Sequence, residues 1–283
     1  MSLKFFSQFL QIEKLVSQEH LDEAIAQAGV SHQTLGDLAQ ARGFLTDKQA
    51  DAINKEQLKL DLPFGRLAQE RGFLTEEQLQ SLLNEQSEQH MKVGEALVNL
   101  GHVGRGDMDD ILSRFAEAQS PNEAELKKIL GTLSENRVAN FLLSCFPKMT
   151  MRLSRLHVKV GREVSLDEGT GDYTATINLE GDDAVCMGLS TDKSFARTIM
   201  AGMTRIMSGD SEILYGEDKE DFEDLLGGFL DIIGGHAVGA LEGERLELEM
   251  GTPEFGNLLS GGLAFELQSV AGKATLYLRS LEA

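Results

Sequence analysis

The residues best placed to do chemistry in this chain are carboxylates. Between positions 217 and 231 it carries Glu217, Asp218, Glu220, Asp221, Glu223, Asp224 and Asp231. Carboxylates gathered in this way can share a proton, hold a cation or attract a basic protein surface. The run lacks the glycine and the ligand spacing of a calcium-binding hand, so a metal is not expected. The same residues also read as a solvated helix face with acid at its N-terminus. His236 follows Gly235 with no Ser, Cys or acidic partner at a catalytic spacing. Gly227-Gly228 and Gly234-Gly235 do not form a dinucleotide loop after a strand and read as points of close helix packing. Cys145 and Cys186 stand in apolar contexts, LLSCF and AVCMG, and are expected to be buried free thiols. No cofactor is implied.

The bulk properties narrow the partners. The chain has 283 residues, 41% of them hydrophobic, which is enough for real cores and typically two domains. It has 26 Lys+Arg against 46 Asp+Glu, a formal charge of −20. Such a chain has no basic stripe with which to track phosphates, so nucleic acid is excluded as the main partner. No stretch reaches the roughly 18–20 uncharged apolar residues of a membrane span, so no membrane insertion is expected. Glu13 and Lys14 interrupt the apolar N-terminal patch, and no cleavage site of small residues follows. A cytoplasmic location is the expectation.

Two sets of elements must position these side chains. LGDLAQARGFLTDKQADAI begins at Leu35, FGRLAQERGFLTEEQLQSLL at Phe64 and VGEALVNLGHVGRGDMDDIL at Val93, a period of 29 residues, with a fainter copy from Phe6. Each copy reads as two short helices. Gly72 suits a left-handed helix end, and Thr75 with Gln78, like Thr46 with Gln49, forms a capping box. Leu79, Leu82 and Leu83 supply an apolar stripe. Stacked copies bury faces that one copy cannot, which predicts an all-α helical repeat domain over residues 1–121.

The pattern then changes. ELKKILGTLSENRVANFLLSCFPKM reads as one helix and MRLSRLHVKVGREVSL alternates like a strand. Asp172–Glu180 and Ala184–Ser190 read as strands about a turn at Gly181-Asp182-Asp183. KSFARTIMAGMTRIM reads as an amphipathic helix starting at Thr191 or Asp192. After the acidic stretch come strands at Arg245–Met250, Leu263–Val270 and Lys273–Ser280. This order predicts an α+β domain over residues 122–283.

The LG…G-F-L-T-x-x-Q…L pattern of residues 30–115 resembles the N-terminal domain of type II secretion and type IV pilus assembly ATPases, including the MshE-like subgroup. That resemblance implies protein docking or cyclic di-GMP binding through tandem copies. The nucleotide candidates are Leu35, Gly36, Gly65, Arg66, Lys92 and Gly94. The Arg that precedes Leu-Gly in the family is Thr34, Pro63 or Lys92 in this chain, and Arg66 and Arg105 are out of register.

The stretches CMGLSTDKSFARTIMAGMTRIM, IIGGHA and GTPEFG resemble the CheC/CheX/FliY family of chemotaxis phosphatases, CheX most closely. In active members, the helix matching Asp224–Ala237 carries an Asp, a Glu four residues on and an Asn three after that. These act on the acyl phosphate of a response regulator, with the amide positioning the attacking water. Aligned on the glycines, this chain keeps Asp224 but has Gly228 for the Glu and Asp231 for the Asn. Asn and Gln are absent between Asn178 and Asn257 and between Gln119 and Gln268 respectively, so no register shift restores the amide. Glu135 and Asn140 resemble a duplicated site, but they are five apart and on different helix faces.

The leading expectation is a bacterial two-component signalling adaptor. Its CheX-like domain would bind a response regulator without efficient dephosphorylation, through Glu217, Glu220, Glu223, Asp224 and Asp231. The resemblance also implies a homodimer through sheet edges. Two alternatives stand beside it: a phosphatase with a non-standard acidic site at Asp224 and Asp231, and a cyclic di-GMP effector acting through the repeats.

Overall fold

Helix starts and stops in the N-terminal part of the computed structural model follow the polar and glycine residues that flank each apolar run. The structure describes all residues except 1–2, 31–32, 58–59, 61, 118–127, 167, 170, 209–217, 244, 257–260 and 282–283. Seven helices come first: α1 (Leu3–Ile12), α2 (Gln18–Ala28), α3 (Leu35–Ala41), α4 (Asp47–Glu56), α5 (Phe64–Glu70), α6 (Glu76–Asn99) and α7 (Arg105–Glu117). Thr34, Thr46 and Thr75 cap α3, α4 and α6, each paired reciprocally with Asp37, Gln49 or Gln78. Gly43, Gly72 and Gly101 take φ of +69°, +68° and +76°, a conformation that disfavours residues with a Cβ. The other recurring glycine is a packing device. A Cβ on Gly65 would lie 2.5 Å from Leu79 Cδ1, and one on Gly94 would lie 3.0 Å from Met108 Sδ.

Two expectations are corrected in this part. Helix α6 runs unbroken for 24 residues rather than stopping between copies. Nothing from Asn84 to Lys92 is a Gly or Pro, so no local signal stops it. Of the expected stripe Leu82 is buried but Leu83 is 39% exposed, and the buried side of α6 continues from Leu82 through Gln86, Gln89, His90 and Val93.

The chain divides into two compact units, Met1–Gln57 with Asp61–Ser120, and Pro121–Ala283. In the second, a 3-10 turn at Gly131–Leu133 precedes α8 (Arg137–Ser154), β1 (Lys159–Glu163), β2 (Tyr173–Gly181), β3 (Val185–Thr191), α9 (Lys193–Ser208) and α10 (Lys219–Glu242). After these come β4 (Leu248–Met250), β5 (Glu254–Phe255), β6 (Leu263–Gln268) and β7 (Ala274–Ser280). The strands form one sheet in the order β1-β6-β7-β3-β2-β4, with β5 also on β2. Every pairing is antiparallel. The period of two sends Ala175, Ile177, Leu179, Val185, Met187, Leu189, Leu276 and Leu278 into one core with the three helices. Thr174, Thr176, Cys186, Ser190, Thr275 and Tyr277, buried as well, belong to the opposite face.

The single helix expected across residues 125–149 is another correction. Gly131 turns at φ +49°, and Asn136 caps a new helix, its side chain accepting from the Ala139 amide at 2.7 Å. That helix continues through Pro147 to Ser154, so Met151–Ser154 is helical rather than the start of a strand. Leu142, Phe146, Met149 and Leu153 keep a helical apolar spacing and are all buried, which overrides the local alternation. Asp192 begins α9 by accepting from the Phe195 amide at 2.8 Å.

Helices α8 and α9 cross where Gly202 meets backbone. A Cβ there would lie 2.2 Å from Ser154 Cα and 2.4 Å from the Leu153 carbonyl oxygen. Gly202→Ala is therefore expected to lower unfolding stability by about 3 kcal/mol, at the upper end of overpacking penalties. Gly235 is also helical but exposed, and a Cβ there would meet nothing within 4 Å. Gly235→Ala is expected to raise stability by about 0.5–1 kcal/mol. Chemical denaturation of both variants checks the pair.

Candidate functional site

The site is built on the outward side of α10. Asp218 starts the helix in a reciprocal capping box with Asp221, accepting its amide at 3.0 Å. Hydrogen bonds from the Asp221 amide and side chain, with a lesser one from the Glu220 amide, hold the Asp218 carboxyl below its ordinary range. Phe222, Leu226, Phe229, Leu230 and Ile233 are fully buried and turn inward. That seating leaves a ridge of residues three or four apart on the other side: Glu220, Asp224, Gly228, Asp231 and Gly235. Glu220 and Asp224 are exposed, and Asp231 is half-buried. None of these three carboxylates makes an ion pair or hydrogen bond to another described residue.

Burial pushes the Asp231 carboxyl above its ordinary range. At Gly228 a Cβ would find only Met203 Cε, at 3.9 Å. Among the described residues the position is open, and their packing does not require glycine there.

The other expected site residues are dispersed. Glu223 turns away from the ridge, its side chain 12% exposed and its carboxylate 3.6 Å from the Lys219 ammonium. Glu217 lies outside the described residues. Asn140 donates to the carbonyls of Ser134 (2.7 Å) and Asn136 (2.8 Å), tying down the turn that leads into α8. Glu135 is exposed in that same turn. His236 is buried in the inner part of α10. Cys145 and Cys186 are both buried, and they are not joined in a disulfide. Burial pushes the Cys186 thiol up to about 11, against the opposing pull of Arg279. Among the described residues, no group of three or more His, Cys, Asp or Glu is arranged to hold a metal ion.

In the N-terminal unit, Gly36 and Gly65 are closed over by Phe64, Leu35 and Leu79, and Gly94 by Met108. Lys92 is exposed. The Arg66 guanidinium pairs with Glu70, one turn along its own helix, at 3.0 Å.

Sequence reasoning missed the neighbour of the ridge. Gly227, one turn from both Asp224 and Asp231, lets β5 lie directly on the helix: a Cβ there would be 2.8 Å from the Phe255 ring and 3.0 Å from Pro253. Gly234 does the same for Met250, whose Sδ would be 3.0 Å away. The available signal was a Phe within a turn of Gly, Pro and Glu, where an aromatic side chain has no local role.

No protein-family model matches the chain, and no curated protein matches it. Among the solved structures similar to it over about half its length are the following three. One is the chemotaxis protein CheX from Desulfovibrio desulfuricans, at 16% identity and TM-score 0.40, covering 50% of this chain and 98% of that one. Another is CheX from Vibrio vulnificus, at 20% identity and TM-score 0.40, covering 50% and 97%. The third is a CheX–CheY complex from Borrelia burgdorferi, at 16% identity and TM-score 0.36, covering 51% and 99%.

Asp231 links the site to stability. A carboxyl whose value is raised by folding binds its proton more tightly in the folded state, so ionising it opposes folding. Asp231→Asn is therefore expected to raise the melting temperature at neutral pH. The gain should shrink as the pH falls toward the ordinary carboxylate range, where the wild-type side chain is protonated as well. Melting curves across that range check the sign.

Proposed function

We propose that the C-terminal unit is a docking module for a response regulator and does not hydrolyse the regulator's phosphate. The observation that carries this reading is the solvent ridge of α10. Carboxylates with no counter-ion among the described residues stand there at turn spacing, where the resembled phosphatases present a Glu and an Asn. A regulator carries a Lys beside its phosphorylated Asp, and Glu220, Asp224 and Asp231 offer that ammonium a complementary field. The same ridge is poor machinery for hydrolysis. Gly228 has no side chain, and an Asp231 carboxylate would repel the anionic phosphoryl group instead of orienting water toward it.

In this reading residues 122–283 form the CheX-like domain, acting in the cytoplasm. Residues 1–121 form a helical repeat domain that docks a second protein, so that regulator binding is coupled to that partner.

Two measurements test the assignment. Purified chain mixed with acyl-phosphorylated regulators is expected to bind them, with affinity falling by about tenfold as salt screens the ridge. Phosphate release should stay at the spontaneous rate. Release accelerated by the wild-type chain and lost in Asp231→Ala would overturn the docking-only reading in favour of a phosphatase.

A gain of function is expected from the double variant Gly228→Glu with Asp231→Asn. The open position at Gly228 admits the new side chain, and the pair restores the missing groups. Phosphate release should then rise by at least about tenfold over the wild-type chain.

A further inference from the structure

We infer that the docking surface has a second, apolar half: the exposed faces of Phe255 and Met250, which grip an apolar patch beside the basic residue of the partner. This rests on the regulator-docking reading above and extends it to side chains for which the Sequence analysis gave no binding role.

The geometry joins the two halves. Phe255 is 39% and Met250 42% exposed, and both stand on the one β4–β5 segment. Each lies against a glycine of α10, Phe255 at Gly227 and Met250 at Gly234. Gly227 is three residues from Asp224 and four from Asp231, and Gly234 is three from Asp231. The aromatic ring and the thioether therefore flank the carboxylate ridge along its length. Pro253 also lies against Gly227, 3.0 Å from a Cβ built there. The β4–β5 segment is short and sits at the sheet edge next to β2, and among the described residues no further strand pairs with its outer side.

The composition of this surface selects its occupant. Exposed Glu249 and Glu254 on the β4–β5 segment add to Glu220, Asp224 and Asp231, and Lys219 is already engaged by Glu223. A second copy of this acidic surface would be repelled. A protein face presenting a basic side chain next to an apolar one fits both halves at once. The halves contribute differently. Desolvating Phe and Met slows dissociation and is insensitive to salt, whereas the carboxylates steer association and are screened. The outward Gly228 and Gly235, with no side chains, leave the ridge low enough for a partner backbone to approach the carboxylates.

The test is a titration of the full chain with a panel of purified single-domain response regulators, each activated with beryllofluoride and magnesium, at low and high salt. Phe255→Gln and Met250→Gln are each expected to raise Kd about tenfold at both salt concentrations, the loss typical of an anchor residue. Phe255→Leu, which keeps an apolar contact, should stay within about threefold. Asp224→Asn and Asp231→Asn should instead flatten the dependence of Kd on salt.

Because Phe255 also covers Gly227, a second readout needs no substitution: amide exchange at residues 248–256 of the wild-type chain should slow on regulator binding. Wild-type binding that is indifferent to Phe255→Gln and Met250→Gln, without slowed exchange at 248–256, overturns the apolar half and leaves the ridge reading intact. Absence of binding to every regulator in the panel overturns the ridge reading, and this surface with it.

Discussion

The seating of α10 in the core is the constraint on which the rest of the C-terminal unit depends. Phe222, Leu226, Phe229, Leu230 and Ile233 are all withdrawn from solvent against the sheet and the two other helices. Burying a side chain of that size stabilises by about 1.5–3 kcal/mol, against a helix-propensity penalty of about 1 kcal/mol per glycine. Five such burials outweigh the glycines at 227, 228, 234, 235 and 239, so the helix persists despite them. The burials also fix its rotation about its own axis. Rotation decides which residues meet solvent, and so which carboxylates a partner can reach. The two buried glycines then set how closely β4 and β5 lie on the helix, which carries Phe255 and Met250 to the flank of the ridge.

Much of this was legible where chemistry is local. Capping boxes at Thr46 and Thr75 and the left-handed Gly72 follow from residue type and spacing. So do the turn between β2 and β3, with Asp183 at φ +53°, and the Asp192 cap of α9. The legible part of the candidate site was its charge: Glu220, Asp224 and Asp231 share one solvent face at helical spacing.

What could not be read depends on contacts distant in sequence. The helix that ends at Ser154 looks like a strand start over Met151–Leu153, and only the shared core with α9 and α10 decides otherwise. Glu223 has the same local sequence credentials as Glu220 and Asp224, yet the rotation of α10 withdraws it toward Lys219. Leu83 is apolar at a suitable spacing, but the neighbouring helices choose Leu82 and Gln86 instead. The pairing of β5 with β2 involves two residues, too few to leave any periodic signal.

The ridge itself argues for a partner by what it gives up. Gly228, Gly235 and Gly239 face outward, and among the described residues no close neighbour would be disturbed by a Cβ, so packing against those residues does not offset their helix penalty. Asp231 sits where burial disfavours its charge and no cation among the described residues compensates. Phe255 and Met250 leave apolar surface in water. Each feature disfavours the isolated fold, and a single substitution would relieve each. Their coincidence on one face of one helix is accounted for if that face is completed by something outside the chain: a cation for the carboxylates, apolar contact for the ring and thioether, and a backbone close over the glycines. A protein surface with a basic side chain beside an apolar one, as proposed above, would supply all three at once. A lone small anion supplies none of them, and a metal ion satisfies only the carboxylates, whose alignment along a straight helix does not converge on a point.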